Sequence, residues 1–297
     1  MDTESLIKMN LDKILKPTSK KLPINIQIID TLVLSGGGVK GLYYVGIIKK
    51  LEELNIIKNI KNFAGTSIGA FFACLLAIGF NSKELMEFLM LFNITRMKKA
   101  NYNNFFSFFG IDNGNNLKII LEQMFELKGF NKNITFGEFY NKTQKNLIIT
   151  GVCVNEKKCH YFNYLEYPKL EIIEAVRIST SIPLYFTPVQ YNNKLWVDGG
   201  IIDNYPIDLF KDNLNKTLGI YLLEETKNSE INNLEEFLSC VLSSFSQGIA
   251  KKSIYGFENN TVIIKTNDIG IIDLNIDKEK IIQFINYGYD YLSAFFF

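Results

Sequence analysis

The chain has 297 residues, of which 47% are hydrophobic and 21% charged, with a formal net charge of +1. That apolar content excludes a disordered scaffold and suffices for one large domain or two small ones. The near-neutral balance gives no electrostatic footing for nucleic acid as a partner.

In chain order, the acidic start at residues 1–4 lacks an apolar h-region, so no secretory signal is expected. Leu6, Ile7, Leu11, Ile14 and Leu15 have helical spacing and stop before Pro17, which predicts an N-terminal helical extension over residues 1–31. Residues 31–34 form a β-type run leading into Ser35-Gly36-Gly37-Gly38-Val39-Lys40-Gly41. Residues 42–54 then read as a helix with Ile47, Ile48, Leu51 and Leu54 on one side. A second short strand enters Gly65-Thr66-Ser67-Ile68-Gly69. Residues 63–80 carry no charge and reach the lower edge of a membrane span, but the glycine turn leaves only a helix of buried-core length. The alternation strand, helix, strand, helix predicts an α/β fold with a largely parallel sheet.

Asn81 and Ser82 cap a helix over 83–92, and residues 93–116 form a polar, aromatic excursion with Arg96, Lys98 and Lys99 ahead of Phe105, Phe106, Phe108 and Phe109. A basic cluster beside an aromatic one suits a peripheral membrane surface; the same phenylalanines equally suit the walls of an apolar pocket. Helical spacing returns over 117–127. Residues 146–155 are the strongest strand signal, with 159–163 as hairpin partner, and 170–178 read as a helix. A small hairpin over 189–197 ends at Asp198-Gly199-Gly200, and residues 218–223 form another core strand. Residues 234–257 and 278–297 are helical in pattern with a β-type run, 261–266, between them. Ile281, Ile282, Ile285, Tyr289 and Leu292 make the buried stripe of the last helix. Cys74, Cys153, Cys159 and Cys240 form no C-x-x-C pair and no zinc spacing, and read as free thiols of a reducing, intracellular compartment.

Ser67 on a strand-to-helix turn is a candidate nucleophile, with Gly65 and Gly69 allowing close backbone approach and the helix N-terminus favouring negative charge. The nucleophile needs a base. His160 is the one histidine in the chain, and its place mid-strand beside a lysine pair is more often structural than catalytic. Asp198, ending a short apolar strand before two glycines, is the best carboxylate candidate, if burial raises its basicity; an Asp-Gly hairpin turn is the plain alternative. The Gly36–Gly41 loop satisfies G-x-G-x-x-G, yet a dinucleotide site also needs an acidic residue at the end of the second strand. Asp and Glu are absent between Phe63 and Lys83. Lys40 followed by Gly41 excludes a Walker loop. An oxyanion hole of backbone amides fits better.

With these three pieces in order, the chain resembles the patatin-like phospholipases. The family's glycine-rich motif matches Gly36 to Gly41, its G-x-S-x-G matches Gly65 to Gly69, and its D-G-G/A matches Asp198, Gly199 and Gly200. The segment from Arg177 to Pro188 and Asn204-Tyr205-Pro206 resemble the family's sequences flanking the aspartate. The resemblance covers residues 32–211. It implies a three-layer α/β/α catalytic domain, with residues 212–297 as the strand-plus-helices remainder of the same globule. It further implies a serine lipid acyl hydrolase of phospholipase A or lysophospholipase type, using no metal or cofactor. Ser67 would be the nucleophile, Asp198 the base, and the amides of Gly36, Gly37 and Gly38 the oxyanion hole. Gly41, Gly65, Gly69, Gly199 and Gly200 would be motif glycines. Phospholipid or lysophospholipid would be the substrate, met at a membrane surface by a cytoplasmic or peripherally associated protein without a transmembrane helix. An acyltransferase on the same dyad and a lipid-binding non-enzyme are the competing readings.

Overall fold

The computed structural model describes residues 25–91, 103–224, 231–266, 270–272 and 276–296. The expected helix at 5–15 and the basic residues Arg96, Lys98 and Lys99 lie outside them.

The strands are β1 (Thr31–Leu34), β2 (Asn62–Gly65), β3 (Gly110–Asp112), β4 (Asn146–Cys153), β5 (Lys158–Phe162), β6 (Leu184–Phe186), β7 (Val189–Tyr191), β8 (Lys194–Asp198), β9 (Thr217–Glu224) and β10 (Thr261–Thr266). The helices are α1 (Leu42–Glu53), α2 (Ile68–Ala77), α3 (Ser82–Leu91), α4 (Asn104–Phe108), α5 (Asn115–Leu127), α6 (Phe136–Thr143), α7 (Ile172–Ser179), α8 (Leu234–Ile254) and α9 (Lys278–Phe296).

The main sheet runs β10-β9-β1-β2-β4-β8-β7, with β5 also on β4. The pairs from β10 to β4 are parallel; β5, β7 and β8 are antiparallel. Successive strand residues point to opposite faces, and the core follows that period. Leu32, Leu34, Phe63, Leu147 and Ile149 face a large cluster with α1, α2, α5, α7 and α9. Val33, Ala64, Ile148, Tyr221 and Leu223 face a smaller one with Tyr205, Ile207 and the α8 residues Ala250 and Ile254. Helices on both faces of a mostly parallel sheet make the three-layer α/β/α fold. Among the described residues no helix is long and apolar enough to cross a membrane.

Asn81 caps α3 by accepting from the Glu84 amide at 2.9 Å, while Glu84 returns the bond to the Asn81 amide at 2.9 Å. The same device builds α6, which pattern reading passed over. Thr135 and Glu138 form a capping box, an S/T-x-x-E signal present in the sequence. The α9 stripe differs from expectation in two members, and one of them, Tyr289, is half-buried. Ile281, Phe284, Ile285, Gly288, Leu292 and Phe295 are buried, but Ile282 is exposed. One period of 3.6 residues puts Ile281 and Ile285 on the same side and turns Ile282 away.

Candidate active site

The first parallel strands, β1 and β2, end side by side, with Leu34 opposite Gly65. Both turns therefore open at the same sheet edge, outside the carboxyl ends of the strands, where open α/β sheets bind ligands. At the β2 turn Ser67 has φ 55° and ψ −125°, a strained conformation for a residue with a side chain. The surroundings hold it there. Its amide donates to Ser179 Oγ at 2.9 Å, and the Gly69 amide donates back to the Thr66 carbonyl at 2.8 Å. The flanking glycines are steric requirements. A β-carbon on Gly65 would lie 2.5 Å from the Gly69 carbonyl, and one on Gly69 would run into the carbonyls of Leu34 and Ser35.

Strand register carries Asp198 to this serine. Ile149 of β4 pairs with Gly65 on one edge and Phe162 on the other, and Gly151 pairs with both His160 and Asp198. β5 therefore occupies the edge away from β2, and β8 continues the line of β2. Asp198 sits two residues beyond Gly65, where the chain has turned off into Ser67. The Ser67 hydroxyl lies beside the Asp198 carboxylate and favours its ionised form. The Gly200 amide donates to Asp198 Oδ1 at 2.7 Å. Burial pushes the Asp198 carboxyl up to about 7, against the downward pull of the neighbouring Ser67 hydroxyl and the Gly200 amide. A carboxylate raised that far is a useful base near neutral pH. Gly199 packs where a β-carbon would strike Thr150.

The glycine-rich loop lies against the same serine. The Gly36 amide donates to the Asn204 carbonyl at 3.0 Å, so of the three expected oxyanion donors this one is engaged internally. The Val39 amide is engaged too, by the Ile271 carbonyl at 3.0 Å. Gly37 precedes and Gly38 opens the short 3-10 turn Gly38–Gly41, where the first amides have no partner within the helix. Both border the cleft that holds Ser67 and Asp198. Gly38 has φ +56° and passes directly beneath the Ile271 carbonyl, a place no β-carbon could share. Gly41 packs against Ile68 of the elbow helix. Lys40 is 2% exposed and pairs with Glu224 at 2.5 Å, anchoring the loop to the end of β9.

His160 is elsewhere. Its Nδ1 bonds the Tyr167 hydroxyl at 2.6 Å and its Nε2 the Glu156 carboxylate at 2.8 Å, and its ring packs on Trp196. Both nitrogens are occupied on the edge of β4 opposite Asp198. All four cysteines are free thiols. Among the described residues no cluster of three His, Cys, Asp or Glu is placed to hold a metal. Sequence reading missed Ser179, whose hydroxyl accepts from the Ser67 amide. It also missed the Thr66 hydroxyl, which accepts from Thr150 at 2.8 Å and donates to the Asp203 carbonyl at 3.0 Å. No pattern marks such residues, because their partners are distant in sequence.

Two cavities meet at Ser67. The larger, about 140 Å³, is apolar and runs between α2, α3 and α5, past Phe71, Phe72, Phe88, Leu89, Leu117 and Ile120. The smaller, about 50 Å³, contains Asp198, Gly200, Asn204 and the α8 residues Leu242, Phe245 and Ser246. Gly38, Ser67, Ile182 and Ile271 line both. Phe105 packs with Ile111, Tyr185, Leu238 and Ile272, whereas Phe106, Phe108 and Phe109 are exposed.

The family model for patatin-like phospholipases matches residues 32–211. An uncharacterized protein of Acanthamoeba polyphaga mimivirus is 32% identical over 270 residues, 85% of this chain and 88% of its own length. A probable lipid hydrolase of Invertebrate iridescent virus 6 is 29% identical, covering 86% of this chain and 84% of its own. Triacylglycerol lipase 4 of Saccharomyces cerevisiae is 27% identical over 71% of this chain but 26% of its own length. VipD from Legionella pneumophila has the same fold, with a TM-score of 0.64 at 18% identity over 90% of this chain and 66% of its own.

Proposed function

Because the chain belongs to the patatin-like phospholipase family, we propose that it cleaves fatty acyl esters of phospholipid or lysophospholipid through an acyl-enzyme on Ser67, with Asp198 as the base. The observation that carries this reading is the juxtaposition of Ser67 and the buried Asp198 on the walls of one cleft, where that cleft joins the apolar cavity.

The acyl chain lies in the apolar cavity, where burial contributes about 0.8 kcal/mol for each methylene. The ester carbonyl then sits over Ser67. Asp198 accepts the Ser67 proton as Oγ attacks the carbonyl carbon. The amides of Gly37 and Gly38 receive the oxyanion. The tetrahedral intermediate expels the alcohol, which takes the proton from Asp198 and leaves through the cleft. Asp198 next deprotonates water, whose oxygen attacks the acyl carbon, and the Ser67 oxygen departs with the proton.

A fluorophosphonate probe tests the assignment. It is expected to add its mass to Ser67 alone, in wild type and His160→Ala alike, and both proteins are expected to release fatty acid from phosphatidylcholine vesicles at rates within about threefold of each other. Labelling of another residue, or an inactive but folded His160→Ala, would overturn it.

An apolar rim supports contact with a lipid surface. α8 exposes Leu234, Phe237 and Phe245 on one side, and the exposed Ile201 lines the cleft with Phe245. Phe105 of α4 and Leu238 of α8 share one cluster, and the neighbouring Phe106 and Phe108 of α4 are exposed. A lipid moving from an aggregate into the cavity would thereby stay in apolar surroundings. Replacing Phe106, Phe108 and Phe237 together by serine is expected to weaken vesicle binding about tenfold or more, with hydrolysis of a soluble short-chain ester little changed. Equal losses in both assays would reject a surface role.

A further inference from the structure

We infer that Asn204 is a further catalytic residue, one that holds the water for the second half of the reaction; this rests on the acyl-enzyme reading above. Asn204 is buried, 6% exposed, and its backbone carbonyl is fixed by the Gly36 amide at 3.0 Å. Its side chain lies between the two glycines nearest the reacting groups. A β-carbon on Gly200 would come 2.9 Å from Asn204 Oδ1 and 3.1 Å from Asp198 Oδ1. One on Gly36 would collide with Asn204 Oδ1 and lie 3.2 Å from Ser67 Cβ. One small volume therefore has Ser67, Asp198 and Asn204 on its walls, and it is the cleft, not the apolar cavity.

The division of the two spaces assigns the role. With the acyl chain in the apolar cavity, the alcohol leaves by way of the cleft that contains the base, and water enters where the alcohol left. A water there has two hydrogens to place before its lone pair can face the acyl carbon. Asp198 takes one as base. Asn204 Oδ1, a neutral acceptor, holds the other without adding a second charge beside Asp198. In the step itself one O–H bond of water breaks, its proton passes to Asp198, and the water oxygen bonds the acyl carbon. The Ser67 ester bond then breaks, and Oγ recovers the proton. The hydrogen facing Asn204 stays on the product carboxylic acid until that ionises. In the first half-reaction the departing alkoxide needs a donor, which Asp198 supplies, so an acceptor at Asn204 contributes to water attack and not to ester cleavage.

The test is pre-steady-state hydrolysis of p-nitrophenyl butyrate by the full chain, with acyl-enzyme occupancy read by intact-protein mass. Asn204→Ala is expected to keep its nitrophenol burst rate and kcat/KM within about threefold of wild type. Its kcat should fall about tenfold or more, with acyl-enzyme accumulating. Hydroxylamine, a stronger nucleophile that does not depend on an oriented water, is expected to restore turnover. Parallel loss of burst rate and kcat, or an unchanged kcat, would overturn the proposal. If Asn204→Ala does not fold, Asn204→Ser, which keeps a shorter acceptor, is expected to show the same split in smaller measure and is judged by the same two outcomes. A wild-type protein that forms no acyl-enzyme on Ser67 would instead reject the acyl-enzyme reading.

Discussion

Asp198→Asn is expected to lower acyl release by about 1000-fold or more, as loss of an essential base does, while making the folded protein more stable at pH 8. Both effects follow from burial. Asp198 is 4% exposed, and burial holds its carboxyl up to about 7 when folded against 3.8 as the unperturbed value. The group binds its proton more tightly in the folded state, so its ionised form opposes folding. That cost is complete above pH 7, shrinks as pH falls through 7, and is gone below the unfolded value. It corresponds to about 4 kcal/mol at most. Asparagine keeps an acceptor for the Gly200 amide without the charge. Melting at pH 8 is expected to rise by several degrees, about 2–4 °C per kcal/mol for a chain of this size, and the gain should vanish near pH 4. Wild-type kcat/KM is expected to fall tenfold per pH unit on the acid side of an apparent pKa near 7, because only the carboxylate accepts the serine proton. A destabilised but active Asp198→Asn would remove the aspartate from the mechanism.

Gly288→Ala is expected to destabilise the protein by about 3 kcal/mol or more, although alanine is the better helix former by about 1 kcal/mol. α9 crosses α1 with backbones in direct contact. A β-carbon on Gly288 would strike the Tyr43 carbonyl, and one on Gly46 would strike the Ile285 carbonyl and lie 2.7 Å from the Tyr289 amide. The neighbours are main chain within helices and cannot swing aside as a side chain would. Thermal unfolding is the check, and an unchanged or higher melting temperature would mean that the two helices can separate without cost. Gly248 in α8 is the control. Nothing lies within 4 Å of its added β-carbon, so Gly248→Ala is expected to be neutral or slightly stabilising.

The pieces of the candidate site that were legible in the sequence are those whose requirement is local. A serine at positive φ needs glycines two residues to either side, so Gly65, Ser67 and Gly69 fall within five consecutive residues. A loop of consecutive amides needs Gly36, Gly37 and Gly38 together. The period-two and 3.6-residue patterns named most strands and helices, because burial on one face of an element is written along that element. Tertiary structure decided the rest. Whether Asp198 reaches Ser67 or only closes a hairpin depends on which edge of β4 carries β8, and that comes from register along Ile149 and Gly151. The same register sends His160 to the opposite edge. The Gly36 amide is not free for a ligand because the Asn204 carbonyl reaches it from another loop. Gly46 and Gly288 look like weak points in two helices until the helices meet. In each case the deciding contact joins residues far apart in the chain, and a sequence pattern records the chemistry of one element at a time, not which other backbone arrives within 3 Å of it.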